Sequence, residues 1–403
     1  MAINYLAPGV YVEEIPSGTR PIEGIGTSIC GFVGVAPNAN ALLGKAQAIK
    51  NWTEFVNKYV SDGSSSTDLS HAVWGFFNNG GTLCYVANIG AGSVRDGLAL
   101  FEAIDEIAMV AAPGYVDVDS FEALLGHCET LKDRVAILDA PKDVRDVAAL
   151  TEAAILPPKP KPRAKSEGES GEAAEPSKGL RPRESPGGYG AFYFPWLLVR
   201  DPLNPRSTDP AIVPPSGHIA GIYARTDAQR GVHKAPANEP VRTALGLTYR
   251  VTHQEQELLN PRGVNCIRFF TGQGIMLWGA RTVAPAASEW RYVNVRRLFN
   301  FIEESIARGT RWVVFEPNAM PLWKSIRRDV TAFLTLLWRQ GALMGATPAE
   351  AFFVHCNAET NPPEVIDAGR VVVLIGIAPV KPAEFVIFRI GQGVEGPEVE
   401  VQG

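Results

Sequence analysis

Two pairs of adjacent residues have side chains that could do acid–base or nucleophilic chemistry. His355 and Cys356 are the residue types of a thiolate–imidazole pair, and Glu303 and Glu304 are those of a general acid and base. Adjacent side chains on a strand or a helix point in different directions. The pattern therefore predicts that neither pair converges on a substrate, and that Glu304 pairs with Arg308 on a helix surface instead.

The glycine-containing motifs complete no catalytic or phosphate-binding signature. Gly26-Thr27-Ser28-Ile29-Cys30 lacks the last glycine of a nucleophile elbow, and Gly44-Lys45-Ala46 lacks the upstream glycine and the hydroxyl residue of a phosphate loop. Gly272-Gln273-Gly274 and Gly90-Ala91-Gly92 lack a third glycine at the spacing of a dinucleotide-binding turn. The last two motifs, the Gly-x-Gly fragments, are interpreted as turns. No enzyme activity is expected.

The composition excludes several classes of partner. The 403 residues are 46% hydrophobic and 20% charged, with a net charge of -5, so the chain has no broad cationic surface for nucleic acid or for an anionic membrane. No signal peptide and no 18-residue apolar run is found, so no membrane insertion is expected. The five scattered cysteines have no metal-ligand spacing and predict reduced, buried thiols, with no metal and no cofactor.

The elements that would position any site divide the chain unevenly. Val10–Ile15 reads as a strand close to the start of the chain, which either forms an edge of its own domain or is donated to a neighbour. Residues 97–154 alternate between helix and strand, as in a parallel sheet covered on both faces. Pro157–Gly188 is rich in proline and charge and contains no aromatic residue, which predicts a disordered surface insert.

The last third of the sequence predicts a compact α+β unit. It has helices at Trp290–Ala307 and Leu322–Gln340, the second capped by Asn318. Its strands are predicted at Arg311–Phe315, Ala351–Val354, Val371–Ile377 and Phe385–Ile390. The last of these strands mirrors the strand at the start of the chain.

Arg262–Pro317 has an unusual composition, with eight arginines, nine aromatic residues and no lysine. Arginine makes flat, multidentate contacts and stacks on aromatic rings, and both residue types are enriched at protein interfaces. This stretch therefore predicts an assembly surface.

Long motifs stand at both ends of the chain. They are APGVYVEEIPSGTRPIEGIGTSICGFVG at Ala7–Gly34 and five collinear motifs in the last third: WGART (278–282), WRYVNVRRLFNFIEESI (290–306), RWVVFEPN (311–318), AFFVHCNAETNP (351–362) and IGIAPVKPAEFVIFRI (375–390). In these motifs the sequence resembles the contractile tail sheath protein family, and the resemblance covers roughly half of the chain.

The resemblance implies an α+β multidomain fold, with a C-terminal sheath domain completed by exchanged terminal strands and an inserted α/β domain. The expected parts are an N-terminal exchange arm (1–19), a small mixed domain (20–95), a variable α/β domain (96–255) containing the insert, a C-terminal core domain (256–380) and a C-terminal exchange arm (381–403).

By the same resemblance, the chain is expected to be a structural subunit of a phage tail, a bacteriocin or an injection particle. Members of the family stack as six-start helical arrays of hexameric rings around an inner tube, and contraction drives the tube through a target envelope. The implied partners are further copies of the chain, the tube protein, and baseplate and terminator or cap proteins. The chain would be made in the bacterial cytoplasm.

Two sets of residues are candidates for contacts between proteins. Strand exchange is expected to use Val10, Tyr11, Val12, Glu13, Glu14 and Ile15, together with Phe385, Val386, Ile387, Phe388, Arg389 and Ile390, with flexible joints at Pro16–Gly18 and Pro379–Pro382. A weak contact with an acidic inner tube is expected from the cations Lys324, Arg327 and Arg328. The alternative for these cations is an ordinary solvated helix face.

Two other functions stay open at this point. A static shell or surface-layer protein would also use terminal arms, but without contraction. An α/β hydrolase would need a site at the carboxyl ends of its parallel strands, where the sequence offers Pro113-Gly114 and Ala140-Pro141 and no nucleophile.

Overall fold

A computed structural model describes residues 21–154 and 179–387. Its strands are β1 (Cys30–Gly34), β2 (Ala46–Ile49), β3 (Cys84–Asn88), β4 (Met109–Ala111), β5 (Val135–Asp139), β6 (Gly190–Phe194), β7 (Leu197–Val199), β8 (Ala211–Val213), β9 (Glu239–Pro240), β10 (Ala244–Leu247), β11 (Val264–Phe270), β12 (Gly274–Leu277), β13 (Phe352–His355) and β14 (Leu374–Ile377). Its helices are α1 (Trp52–Tyr59), α2 (Asp68–Asn79), α3 (Val94–Ala99), α4 (Val118–Leu131), α5 (Ser216–Arg230), α6 (His253–Leu259), α7 (Val293–Gly309), α8 (Met320–Arg339), α9 (Pro348–Ala351) and α10 (Pro363–Asp367). Among these, no helix has the length and apolarity needed to cross a bilayer.

A nine-stranded sheet organises the first two thirds of the chain, in the order β2-β3-β1-β4-β5-β6-β11-β12-β9. The strands from β3 to β11 are parallel, which confirms the helix–strand alternation expected for residues 97–154, and the outer strands β2, β12 and β9 pair antiparallel. The sheet runs across the boundaries predicted at residues 95 and 255. The segments on either side of each boundary share one sheet, because β1 pairs with β4 across residue 95 and β6 pairs with β11 across residue 255.

Each face of this sheet carries its own core. Along β1, Phe32 is buried in the core beneath α2 and α5, whereas Val33 is buried in the core on the other face, beneath α3 and α4. Helices α2 and α5 pack very closely, since a Cβ at Gly217 would lie 2.3 Å from the Ala72 Cα. A third cluster is formed mainly by α7, α8 and β13, and it belongs to the C-terminal third.

The predicted pattern of α8 is confirmed. Its inward stripe of Leu322, Ile326, Phe333 and Leu337 is buried. The predicted cap is wrong, because α8 begins at Met320 without a side-chain cap. Asn318 instead accepts a hydrogen bond from Trp323 Nε1 at 2.9 Å and donates one to the Arg370 carbonyl at 2.7 Å.

The strand predicted at Arg311–Phe315 is also wrong. Arg311–Val313 forms a 3-10 turn, and Phe315 has a φ of 69°. The β-branched and aromatic side chains favour a strand locally, but the chain must reverse here between two packed helices, and tertiary context decides. The strand predicted at Val371–Ile377 is shorter, with only Leu374–Ile377 paired to β13.

The predicted disordered insert is wrong in its last part. Residues 179–188 are folded against the sheet domain, where Leu180 N donates to the Ala149 carbonyl. The Arg183 guanidinium bridges Glu122 and Glu129 on α4 at 2.9 and 2.8 Å. The charge of Arg183, which in the sequence favours a solvated loop, thus has specific partners. Residues 155–178 lie outside the described part of the chain.

Candidate assembly site

Strands β13 and β14 form a small antiparallel sheet that is separate from the main one. Phe352 is opposite Ile377 and His355 is opposite Leu374. Within the described residues this sheet has two strands, so both of its outer edges are without a strand partner. A sheet of two strands is marginally stable unless another element supports it. Here the support comes from α8, against which β13 packs.

The two faces of this small sheet differ in exposure. Phe352 and Val354 are buried toward α8, while Phe353 is 45% and Leu374 53% exposed. The Phe353 ring lies over the Gly376 backbone, where a Cβ would come within 2.2 Å of the ring. Apart from His355, the outer face is therefore apolar and open, which is typical of a contact surface and not of a solvated one.

The predicted divergence of His355 and Cys356 is confirmed. His355 is exposed on the outer face, whereas Cys356 is buried beside Asn361, whose Nδ2 lies 3.8 Å from its sulfur. Burial raises the pKa of the Cys356 thiol, which makes it a poor nucleophile. All five cysteines are free and buried, as predicted.

The candidate exchange residues are only partly within the described chain. Phe385, Val386 and Ile387 are described, with exposed fractions of 73%, 71% and 78%, and they form no strand in the single chain. Val10, Tyr11, Val12, Glu13, Glu14, Ile15, Phe388, Arg389 and Ile390 lie outside the described residues. Strand exchange therefore stays a prediction.

The three candidate tube-contact cations all lie on the exposed side of α8. Lys324, Arg327 and Arg328 are exposed, and Arg328 Nε donates to the Asp329 carboxylate at 3.0 Å. Their contact with a tube stays a prediction. The expected surface pair is confirmed, with Arg308 Nε 2.6 Å from Glu304 Oε1.

The arginine-rich stretch is not one continuous surface, contrary to the sequence-based interpretation. Arg281, Arg296 and Arg297 are buried. The Arg296 guanidinium lies between aromatic rings, 4.2 Å from the centre of Trp290 and 4.7 Å from that of Tyr189. These arginines hold the subunit together internally. Arg296 and Arg297 lie over aromatic rings, while Arg281 and Arg297 pair with carboxylates from distant segments, Glu384 and Asp227.

A polar crevice lies at the carboxyl ends of β1 and β4, and no sequence motif indicates it. It has a volume of about 510 Å³ and is lined by Asp68, His71 and Gly114. Beneath it Asp139, at the end of β5, accepts hydrogen bonds from Ser216 N, Ser216 Oγ and Gly114 N at 2.8, 2.7 and 3.2 Å. Burial raises the pKa of Asp139 to about 7 and that of Asp68 to about 6.

This crevice does not hold a nucleophile–base relay within the described residues. Ser216 Oγ donates to Asp139, and neither ring nitrogen of the neighbouring buried His218 has a hydrogen-bond partner there. A serine nucleophile would need a histidine within hydrogen-bond reach. Across the residues that the structure describes, no group of three or more His, Cys, Asp and Glu side chains could hold a metal ion.

Family models for the phage tail sheath protein central domain and the phage tail sheath C-terminal domain match residues 187–283 and 286–392, together about half of the chain. A chain from the anti-feeding prophage baseplate in its contracted state is 31% identical with a TM-score of 0.74, and 96% of this chain covers 99% of it. The chain belongs to the phage tail sheath protein family.

The sheath fold extends over almost the whole chain. The sheath complex of PVC, an extracellular contractile injection system, in its contracted state is 28% identical, with a TM-score of 0.76 over 98% of this chain and 99% of that one. The tail sheath protein of Vibrio phage KVP40 is 30% identical over 177 residues, which are 43% of this chain and 26% of the phage protein. In such matches the sheath chain spans less than half of the length of its curated relatives.

Proposed function

We propose that this chain is a structural, non-catalytic sheath subunit that polymerises as a six-start helical cylinder of stacked hexameric rings around an inner tube. Contraction of the cylinder would drive the tube through a target envelope. The observation that carries the proposal is the two-stranded sheet of β13 and β14, whose two outer edges have no strand partner among the described residues and whose outer face exposes Phe353 and Leu374. Such a sheet is suited to receive strands from other subunits.

In this proposal the terminal arms supply those strands. Val10–Ile15 and Phe385–Ile390 would add to the small sheets of neighbouring subunits, with each ladder hydrogen bond contributing ~1 kcal/mol net. The exposed apolar side chains of Phe385, Val386 and Ile387 are consistent with this role, since a partner would cover them. Head-to-tail exchange is a heterologous contact and builds open helices instead of closed dimers.

Contraction would exchange one set of contacts for another. Weak, breakable contacts between the α8 cations and an acidic tube would be lost, and more extensive contacts between sheath subunits would form. The extended cylinder would then be trapped kinetically and would need a trigger. The further partners in this proposal are the baseplate and the terminator or cap proteins of a phage tail or injection particle assembled in a bacterial cytoplasm.

Negative-stain electron microscopy tests the arm exchange. Purified wild-type protein is compared with a variant that lacks residues 1–18 and with a control that lacks only residues 2–9 and keeps Val10–Ile15. Hollow cylinders from the wild type and the control, with dispersed particles from the longer deletion, are the expected result. Cylinders from all three proteins would remove the N-terminal arm from the proposal. Polymers that exist in two lengths would separate a contractile sheath from a static shell.

A further inference from the structure

The chain that follows β14 is tied down at two successive places. First, it runs beside the segment after α8, where Met344 N donates to the Ala378 carbonyl at 2.8 Å and Val380 N donates to the Ala342 carbonyl at 3.3 Å. Asn294 Nδ2 adds a hydrogen bond to the Val380 carbonyl at 3.1 Å. The flexible joint expected at Pro379–Pro382 is therefore wrong for its first half, because these bonds fix it to the body of the subunit.

The second tie is an ion pair at the base of the C-terminal arm. Arg281 Nε lies 2.9 Å from Glu384 Oε1, and Arg281 Nη2 contacts Glu384 Oε2. The Tyr292 hydroxyl donates to the same carboxylate at 3.2 Å. The side chains of Arg281 and Glu384 are 8% and 16% exposed, so little water competes for this pair.

The arginine of this pair is itself held rigidly. Arg281 N donates to Asn265 Oδ1 on β11 at 2.7 Å, and the Arg281 carbonyl accepts from Asn265 Nδ2 at 2.7 Å. The remaining guanidinium nitrogen, Nη1, donates to the Asn260 carbonyl at 3.1 Å. The pair thus connects the C-terminal arm to strand β11 of the nine-stranded sheet through a fixed point.

We infer that Arg281, Glu384 and Tyr292 form a latch that sets the place and the direction in which the C-terminal arm leaves the subunit. The position of the latch carries this inference, because Glu384 is followed at once by the exposed apolar residues Phe385, Val386 and Ile387. The inference rests on the proposed strand exchange and adds positioning residues to it. The subunit would pivot about its neighbour beyond Glu384 and not at the preceding prolines.

The latch shortens the chain that leads from the body of the subunit to the exchange residues. Without it, this connecting chain would begin at residue 381, and the four added residues could extend by up to ~14 Å. A longer tether lowers the effective concentration of the arm at a neighbour's sheet edge. It also leaves the approach direction of the strand undefined. Loss of the latch is therefore expected to slow assembly even in a subunit that stays folded.

The mobility of the arm gives a direct test in the dispersed full-length chain. A fluorophore on Ile387→Cys reports local motion, and the five native cysteines are buried and do not compete for the label. In this background Glu384→Gln should lower the anisotropy of the label. Glu316→Gln removes the same charge from an exposed glutamate and should not. Equal anisotropy in the two variants would overturn the latch.

Assembly kinetics separate the latch from the strand exchange itself. Glu384→Gln and Tyr292→Phe should form cylinders more slowly than Glu316→Gln, by ~10-fold for Glu384→Gln. Glu384→Gln also leaves the Arg281 charge without its counter-charge and should lower the melting temperature of the dispersed chain. Tyr292→Phe keeps the ion pair, so it should melt close to wild type and still assemble slowly. A deletion of residues 388–403 should prevent cylinders altogether. If the deletion assembles normally, the proposed exchange by this arm fails. If the deletion blocks assembly while Glu384→Gln assembles at the control rate, only the latch fails.

Discussion

Arg297 and Asp227 form a bidentate ion pair that joins α7 to α5, with Nη1–Oδ1 and Nη2–Oδ2 distances of 2.9 and 2.6 Å. Their side chains are 3% and 6% exposed. The Thr27 hydroxyl also donates to Asp227, and Arg297 donates to the Thr27 carbonyl at 2.9 Å. Three distant segments therefore meet at one buried charge pair, which connects the C-terminal helices to the main sheet.

Removing one partner of this pair should destabilise the subunit strongly. Asp227→Asn leaves the Arg297 charge buried without a counter-charge, and the expected loss in the free energy of unfolding is about 3–5 kcal/mol. Urea unfolding of the dispersed chain measures it. The matched control is Glu304→Gln, which breaks the more exposed pair with Arg308 and should cost less than ~1 kcal/mol. Similar losses in both variants would contradict a structural role for the buried pair.

Asp139 should make the subunit less stable as the pH rises toward neutrality. Its native pKa is about 7 because the group is buried, whereas an unfolded aspartate titrates near ~4. The native state holds this proton more tightly than the unfolded chain does. The resulting contribution to the free energy of unfolding is fully present below pH ~4 and is lost as the pH rises through about 7. Asp139→Asn should flatten that part of the pH–stability curve. Asp62→Asn removes the same kind of carboxyl group from an exposed position and is the control.

His218 should have the opposite effect on the pH dependence of stability, because it should make the subunit less stable as the pH falls. The ring is fully buried beside Trp74, and burial lowers its pKa to about 3, so the unfolded chain takes up this proton first on acidification. The free energy of unfolding therefore decreases as the pH falls below ~6.5, and the decrease due to this ring is about 2 kcal/mol at pH 5. His218→Leu should therefore be more resistant than wild type to unfolding at pH 5 and similar to it at pH 7. Parallel curves for the two proteins would contradict this account.

The elements that could be predicted from the sequence are those with a strong local pattern. The inward stripe of α8 repeats every three or four residues, and the buried strands of the parallel sheet are continuous apolar runs. The Arg311–Phe315 segment carries an equally strong local preference for a strand and forms none. Within residues 21–154 and 179–387 it pairs with no strand, since it connects α7 and α8, which pack into one core.

The contacts of the candidate assembly site were less predictable than its elements. The sequence suggested arginine-mediated contacts in the stretch from Arg262 to Pro317 but could not show which arginines face inward. Arg281 and Glu384 are separated by 103 positions, and no local periodicity relates them. The sequence predicts both strands of the small sheet, β13 and β14. It does not predict which of their edges stay unpaired, because that depends on which other strands reach them.

Phe315 should be replaceable by glycine with a gain in stability of the dispersed subunit. Its φ of 69° is unfavourable for a side chain with a Cβ, and the ring is fully exposed, so it contributes no burial. Relief of this strain, less the added freedom of glycine in the unfolded chain, should amount to ~1 kcal/mol. Val314→Gly is the matched control, because Val314 is exposed but has a φ of -66°. That control should lose stability, and a loss in both variants would refute the argument.

Arg327 on α8 should affect how firmly a sheath holds its tube. If the α8 cations face an acidic tube, Arg327→Glu places a carboxylate against carboxylates and should release the tube at lower salt than wild type. Each exposed pair contributes only ~0.2–1 kcal/mol, but the contact repeats in every subunit of the cylinder. Salt titration of tube retention in purified particles measures the effect. Arg339→Glu makes the same charge change at the exposed far end of the helix and is the control. Unchanged retention in Arg327→Glu would assign these cations to an ordinary solvated face.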